Sequence, residues 1–232
     1  MLGLIPYIVF MIIYSNGINS HTFKNKILWN VSLINIGAVI VFPLFILLTP
    51  NNIILNYGKR LGDFFDFFLL LSALLYLKFN SISYKEIEFK IPKFNKDLYL
   101  VLVIASLFAL IYPILKLNYP SLLMKQEPIN TIRLLLFNLV IYCAIGPFAE
   151  ELYFRKIVLE AFESKYGTIK ALVASAMVFA VVHGFNYGII NLFIGGIILG
   201  FIYKKTRNLF LPFLFHALWN LPKILLVTNI HN

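Results

Sequence analysis

The sequence predicts an all-α fold, a polytopic membrane helix bundle. Three observations carry that prediction. Apolar residues fill 60% of the 232 positions. Charged residues make up only 13%, against the ~25% usual in a soluble domain. The mean hydropathy is +0.85, and the apolar residues gather in runs close to the ~20 residues a helix needs to cross a hydrocarbon layer of ~30 Å. A soluble core cannot absorb so many apolar side chains, and a disordered chain does not carry them.

Eight runs follow in order: Leu2–Tyr14, Trp29–Thr49, Phe64–Phe79, Tyr99–Leu117, Ile132–Phe148, Ala171–Phe185, Gly188–Tyr203 and Leu209–Val227. The first is short and broken by Pro6, so seven spans is the fallback. Each run is expected to be a helix, because lipid offers no partner to an open backbone. None alternates polar and apolar residues as barrel strands do. The N-terminal run has no positive n-region and no small-residue cleavage site, which predicts a retained helix. No lipidation motif is visible. The single cysteine, Cys143, has no partner for an internal disulfide.

The net charge is +10. A nucleic-acid interface would need a basic stripe on a folded surface, and no such stripe is present, so nucleic acid is not an expected partner. The positive charges read instead as topology signals. Thirteen Lys and Arg follow the odd-numbered spans and six lie on the other side, Lys223 among the six. The positive-inside rule then puts the odd loops in the cytoplasm and both termini outside; if the first run does not span, the N-terminus moves inside. Ser81–Asp97 is the one long polar stretch, a cytoplasmic linker or interfacial segment. The division expected is N-terminal membrane helices over 1–125 and a functional core over 126–232. No repeat of fixed period is found.

The core holds polar residues that lipid does not tolerate without reason. Glu150, Glu151, Arg155, His183, His216 and Asn220 all lie in or beside apolar helices. A charge at the centre of such a helix costs ~2.5–3.5 kcal/mol even on the lenient scale, so these residues are expected to face the bundle interior and mark a working site. Glu151 and Arg155 are four apart and share a helical face, which predicts an ion pair. Glu150 lies ~100° further round and escapes that arginine. A carboxylate left without a partner or water is suited to act as a general base near neutral pH. Gly146-Pro147 just before it predicts a kink or restart of the helix. Phe179 and His183 share a face, as do His216 and Asn220. Gly196-Ile-Ile-Leu-Gly200 is a small-xxx-small spacing read as close helix packing.

The three motifs Glu150-Glu151-x-x-x-Arg155, Phe179-x-x-x-His183 and His216-x-x-x-Asn220, in this order, resemble those of the CPBP intramembrane proteases, the family of type II CAAX prenyl proteases and bacteriocin-processing or Abi proteins. The resemblance covers roughly Thr131–Val227. It implies a helical membrane endopeptidase acting on a membrane-associated protein or peptide. Carried over by position, it implies that Glu150 activates the attacking water with help from His183. His216 and Asn220 would stabilise the oxyanion, and Glu151 and Arg155 would support the site. The inventory also holds a possible zinc set, Glu150, His183 and His216. There is no HExxH, and Asn220 is a poor zinc ligand, so metal-free chemistry is favoured.

Two other functions fit parts of the sequence. A non-enzymatic immunity or scaffold protein could carry the same motifs, and a proton-coupled transporter could use Glu150 and the histidines as a relay. The transporter reading would favour broken helices in two repeated halves, and only one such break is seen. A prenylated CAAX protein, a peptide leader and a membrane anchor segment are all open as substrates; the abundance of Ile, Lys, Asn and Phe points to a microbe and its plasma membrane, and tilts the choice towards a substrate that is not prenylated. One tension remains at this level. Counting ~1.5 Å per residue puts His183 near the outer end of its span and His216 early in a span running the same way.

Overall fold

The structure is a computed structural model and describes residues 61–79, 81–119, 128–183 and 188–228. The first two expected spans, Leu2–Tyr14 and Trp29–Thr49, lie outside the described residues. The other six correspond to six helical rods: α1 (Leu61–Phe79), α2 (Lys96–Asn118), α3 (Ile132–Tyr166), α4 (Thr168–Val182), α5 (Ile189–Thr206) and α6 (Phe210–Leu225). There is no strand among the described residues, only an isolated bridge between Ile129 and Thr228. By length and composition α2, α3 and α5 can each cross a membrane; α4 is a shorter apolar helix.

Local chemistry sets the boundaries. The linker after α1 closes in a short 3₁₀ turn, Tyr84–Ile87, with a capping box in which Ser83 N–H donates to Glu86 Oε1 at 2.9 Å. That backbone donor, joined by the Ser83 side chain, holds the Glu86 carboxyl below its ordinary value. Asn95 caps α2 by accepting from Leu98 N–H at 2.9 Å, and Thr131 caps α3 by accepting from Leu134 N–H at 3.2 Å. Gly167, at φ +77°, turns the chain out of α3, a backbone conformation that side chains with a Cβ rarely take.

The expected fifth span, Ile132–Phe148, is part of a longer rod. α3 runs for 35 residues, about 50 Å at ~1.5 Å per residue. The motif from Glu150 to Arg155 therefore lies inside a helix rather than at its end. The break expected at Gly146-Pro147 is a widening. Residues Ile141–Ile145 form a π-helical turn, in which Gly146 N–H reaches back to Ile141 O. Pro147 has no N–H to continue the ordinary ladder, and a π-turn absorbs the mismatch without ending the rod. A second π-helical stretch covers Leu152–Leu159.

Packing joins the rods through aromatic and small residues. Phe108 of α2 meets Phe215 and Trp219 of α6 at ring separations of 5.5 and 5.7 Å. Phe89 of the linker packs against Phe148, Phe210 and Phe213. Gly196 lies against Ala176 and Gly200 against Leu172, so the glycine spacing serves the α4–α5 contact. A Cβ on Gly195 would sit only 2.4 Å from the Trp219 ring. The outer faces carry exposed Leu107, Leu110, Ile132, Leu136, Ile190 and Phe201, as a lipid-facing surface does.

Polar contacts mark two opposite ends of the bundle. At one, Lys205 pairs with Asp97 at 3.0 Å, Lys204 with Glu163, and Lys156 with Glu160 at 3.0 Å. At the other, Lys116 Nζ donates to Leu226 O at 2.6 Å. The two sets of lysines separated by the topology count are thus separated in space. α2 and α6 run parallel, each starting at the Lys205 end: Leu209 N–H, just before α6, donates to Glu88 O at 3.0 Å.

Candidate active site

α3 supplies both glutamates, and their surroundings differ sharply. Glu151 is fully buried. Its Oε2 accepts from Arg155 Nε at 2.7 Å and its Oε1 from His216 Nδ1 at 2.9 Å. Both oxygens are therefore occupied by strong, charge-assisted or polarised donors. Arg155 is also fully buried, with its guanidinium carbon 5.0 Å from the centre of the Phe179 ring. The pair predicted from the four-residue spacing is present, and the bond to His216 adds a partner from α6. That bond joins residues 65 apart, and nothing in the local pattern announces it.

Glu150 points elsewhere. Its Oε2 is buried and has no hydrogen-bond partner among the described residues. It lies 3.7 Å from His183 Nε2 and 3.9 Å from His216 Nε2. Both distances are too long for direct hydrogen bonds and suit groups that share a water. The two carboxylates, adjacent in sequence, thus differ: both oxygens of Glu151 are bonded, while Glu150 Oε2 has no hydrogen-bond partner among the described residues.

Each imidazole is held by its other nitrogen. His183 Nδ1 donates to Phe179 O at 2.8 Å. His216 Nδ1 donates to the Glu151 carboxylate. In a neutral ring this leaves Nε2 of both as the acceptor nitrogen on the Glu150 side. Phe179 packs between the rings, 4.8 Å from His183 and 5.7 Å from His216.

The apparent mismatch in depth resolves here. His183 caps the end of α4 while His216 lies in the second turn of α6, so the two helices are staggered along their axes for both rings to meet Glu150. Both histidines reach the same carboxylate oxygen.

Asn220 stands one turn beyond His216 on α6. Its Nδ2 donates to Tyr142 O at 3.0 Å, a carbonyl within the first π-turn of α3. Its Oδ1 accepts from Lys223 Nζ at 2.8 Å. The structure therefore gathers Glu150, His183 and His216 around one point, with Asn220 alongside, nearer the start of α3. Lys223, counted from the sequence on the non-cytoplasmic side, lies in the last turn of α6, in contact with a motif residue. The second π-stretch has a similar use: Phe154 O accepts from Ser175 Oγ of α4 at 3.0 Å. Ser175 and Lys223 carry no motif, and only their helical register could have pointed inward.

The separations around Glu150 can be set beside those of a zinc site. A tetrahedral zinc with bonds of ~2.0–2.1 Å holds its ligand atoms ~3.3 Å apart. Glu150 Oε2 stands 3.7 and 3.9 Å from the two nitrogens. Among the described residues, no three His, Cys, Asp or Glu side chains form a group that could hold a metal ion.

Apolar helices enclosing a buried carboxylate and two oriented imidazoles define a class: integral membrane proteins with a polar site inside the bundle. Comparison with known proteins narrows it. Residues 132–222 match the family model for type II CAAX prenyl endopeptidase Rce1-like proteins. The chain is also similar to "Putative membrane peptidase YdiL" of Bacillus subtilis (strain 168), at 25% identity over 95 residues, 41% of this chain and 39% of that relative. The chain thus spans about two fifths of the length of that curated relative. No solved structure matches. Through this C-terminal core the chain is similar to the CPBP family.

Proposed function

We propose that the protein is an intramembrane endopeptidase that hydrolyses a peptide bond of a membrane-associated protein or peptide, without a metal. One observation carries the reading: the buried, unpartnered Glu150 Oε2 between two imidazole nitrogens. A water there is held by the carboxylate and by His183 Nε2. Glu150 takes a proton from it as the oxygen attacks the substrate carbonyl. The carbonyl oxygen becomes an oxyanion, which the second N–H of Asn220 and the His216 ring stabilise. His216 already commits its Nδ1 proton to Glu151, so donation from Nε2 requires the imidazolium form; Glu151 and, once Glu150 has taken the proton, the oxyanion itself supply the balancing negative charge. Collapse breaks the C–N bond, and the proton on Glu150 passes to the leaving nitrogen. Glu151 and Arg155 hold His216 in the orientation this needs.

The chain is read as multi-pass, with the Lys205 end in the cytoplasm and the plasma membrane of a microbe as its location. The test compares protein termini in membranes of cells carrying wild type or Glu150→Ala at equal expression. Termini present only with the wild type support the reading and give the substrate. Identical termini, with the cellular phenotype intact in Glu150→Ala, would replace it with the immunity or scaffold function.

A further inference from the structure

We infer that Lys223 is a positioning residue for the oxyanion site, acting through Asn220; the inference rests on the proteolytic reading above. Three observations converge. Lys223 Nζ donates to Asn220 Oδ1 at 2.8 Å. The same amide donates through Nδ2 to Tyr142 O at 3.0 Å. The Lys223 ammonium lies 5.1 Å from the centre of the Trp219 ring, so a cation–π contact fixes it in the last turn of α6.

An amide side chain has one acceptor oxygen and two N–H donors. With Oδ1 committed to Lys223 and one N–H to Tyr142, the orientation of the amide is determined, and the remaining N–H is the one available to substrate. A cation on the oxygen also draws charge from the amide nitrogen. Hydrogen bonds in such a chain strengthen one another, and more so at low dielectric. Lys223 thus both aims the Asn220 donor and makes it stronger. Its effect belongs to the transition state, where negative charge develops, so it should appear in kcat and not in KM.

Lysine suits this position beside lipid. Its long apolar stem carries the ammonium from the last turn of α6 to the Trp219 ring and Asn220 Oδ1. A neutral side chain of similar length would keep the packing and lose the charge, which separates the two contributions.

The experiment uses the full-length protein in detergent and a synthetic peptide spanning a junction found in the termini comparison. Asn220→Ala is expected to lower kcat by about 10²- to 10³-fold, the usual effect of removing one oxyanion donor. Lys223→Met should lower kcat by about tenfold or more and change KM by less than about twofold, while Lys223→Arg keeps most of the activity. The double variant Lys223→Met/Asn220→Ala should be no slower than Asn220→Ala alone, since the lysine acts through the amide. A purely structural lysine would not give that pattern. If Lys223→Met does not fold, Lys223→Gln serves in its place.

Wild-type kcat in Lys223→Met beside a slow Asn220→Ala would overturn the inference and leave the proteolytic reading standing. Losses that multiply in the double variant would overturn it too, as would wild-type kcat in Asn220→Ala. Wild-type kcat in Glu150→Gln would instead overturn the proteolytic reading.

Discussion

Glu151→Ala should destabilise the protein more than any other single change at the site, and a second mutation should partly repair it. Glu151 accepts two bonds in a fully buried position, from Arg155 at 2.7 Å and from His216 at 2.9 Å. Bonds to charged groups are worth about 1.5–3 kcal/mol each. Removing one member of a buried pair is expected to cost about 3–5 kcal/mol, because the other charge stays behind unpaired. In Glu151→Ala that charge is Arg155, which the Phe179 ring stabilises only in part. Arg155→Met should cost less, since the Glu151 carboxylate keeps His216. The double variant should be more stable than Glu151→Ala alone, because it removes the stranded cation; a coupling of about 2–3 kcal/mol is expected. Unfolding in mixed micelles under an SDS titration measures all four proteins. Glu151→Ala within about 1 kcal/mol of wild type, or a double variant that loses the sum of the two singles, would refute the reasoning.

Three further outcomes follow from packing and site geometry. Gly195→Ala should destabilise by about 1–3 kcal/mol through overpacking, since its Cβ would meet Trp219 at 2.4 Å; adding Trp219→Phe should recover part of that loss in the same titration. Asn208→Ala should loosen the linker, because Asn208 Nδ2 donates to Lys90 O at 2.7 Å and Oδ1 accepts from Phe210 N–H at 3.0 Å; the net loss of about 1 kcal/mol should appear as faster amide exchange at residues 88–90. Treatment with EDTA should leave peptide cleavage unchanged, and loss of activity restored by zinc would favour the metal reading of Glu150, His183 and His216.

Much of the site could be read from the sequence because helical spacing is a local property. The interval from Glu151 to Arg155 alone determines which carboxylate is paired, and the six apolar runs within the described residues all correspond to helical rods. What the sequence did not disclose is interhelical. The Glu151–His216 bond and the seat of Asn220 on Tyr142 depend on how α3 and α6 lie together. The π-turns were only hinted at by Pro147. The place of Lys223 near the end of the last span is legible in the sequence, but its bond to Asn220 depends on where the flexible stem carries the ammonium. The depth mismatch of the histidines came from assuming that the helices start level, whereas those carrying His183 and His216 are staggered so that both rings meet Glu150.

The central claim is that Glu150 is the general base. Its most direct test is the rate at which purified wild type and Glu150→Gln hydrolyse a peptide spanning an identified junction, with the two proteins matched for thermal stability. Glutamine keeps the shape and cannot take a proton, so kcat should fall by about 10²- to 10⁴-fold. A Glu150→Gln protein that turns over at the wild-type rate would contradict the account.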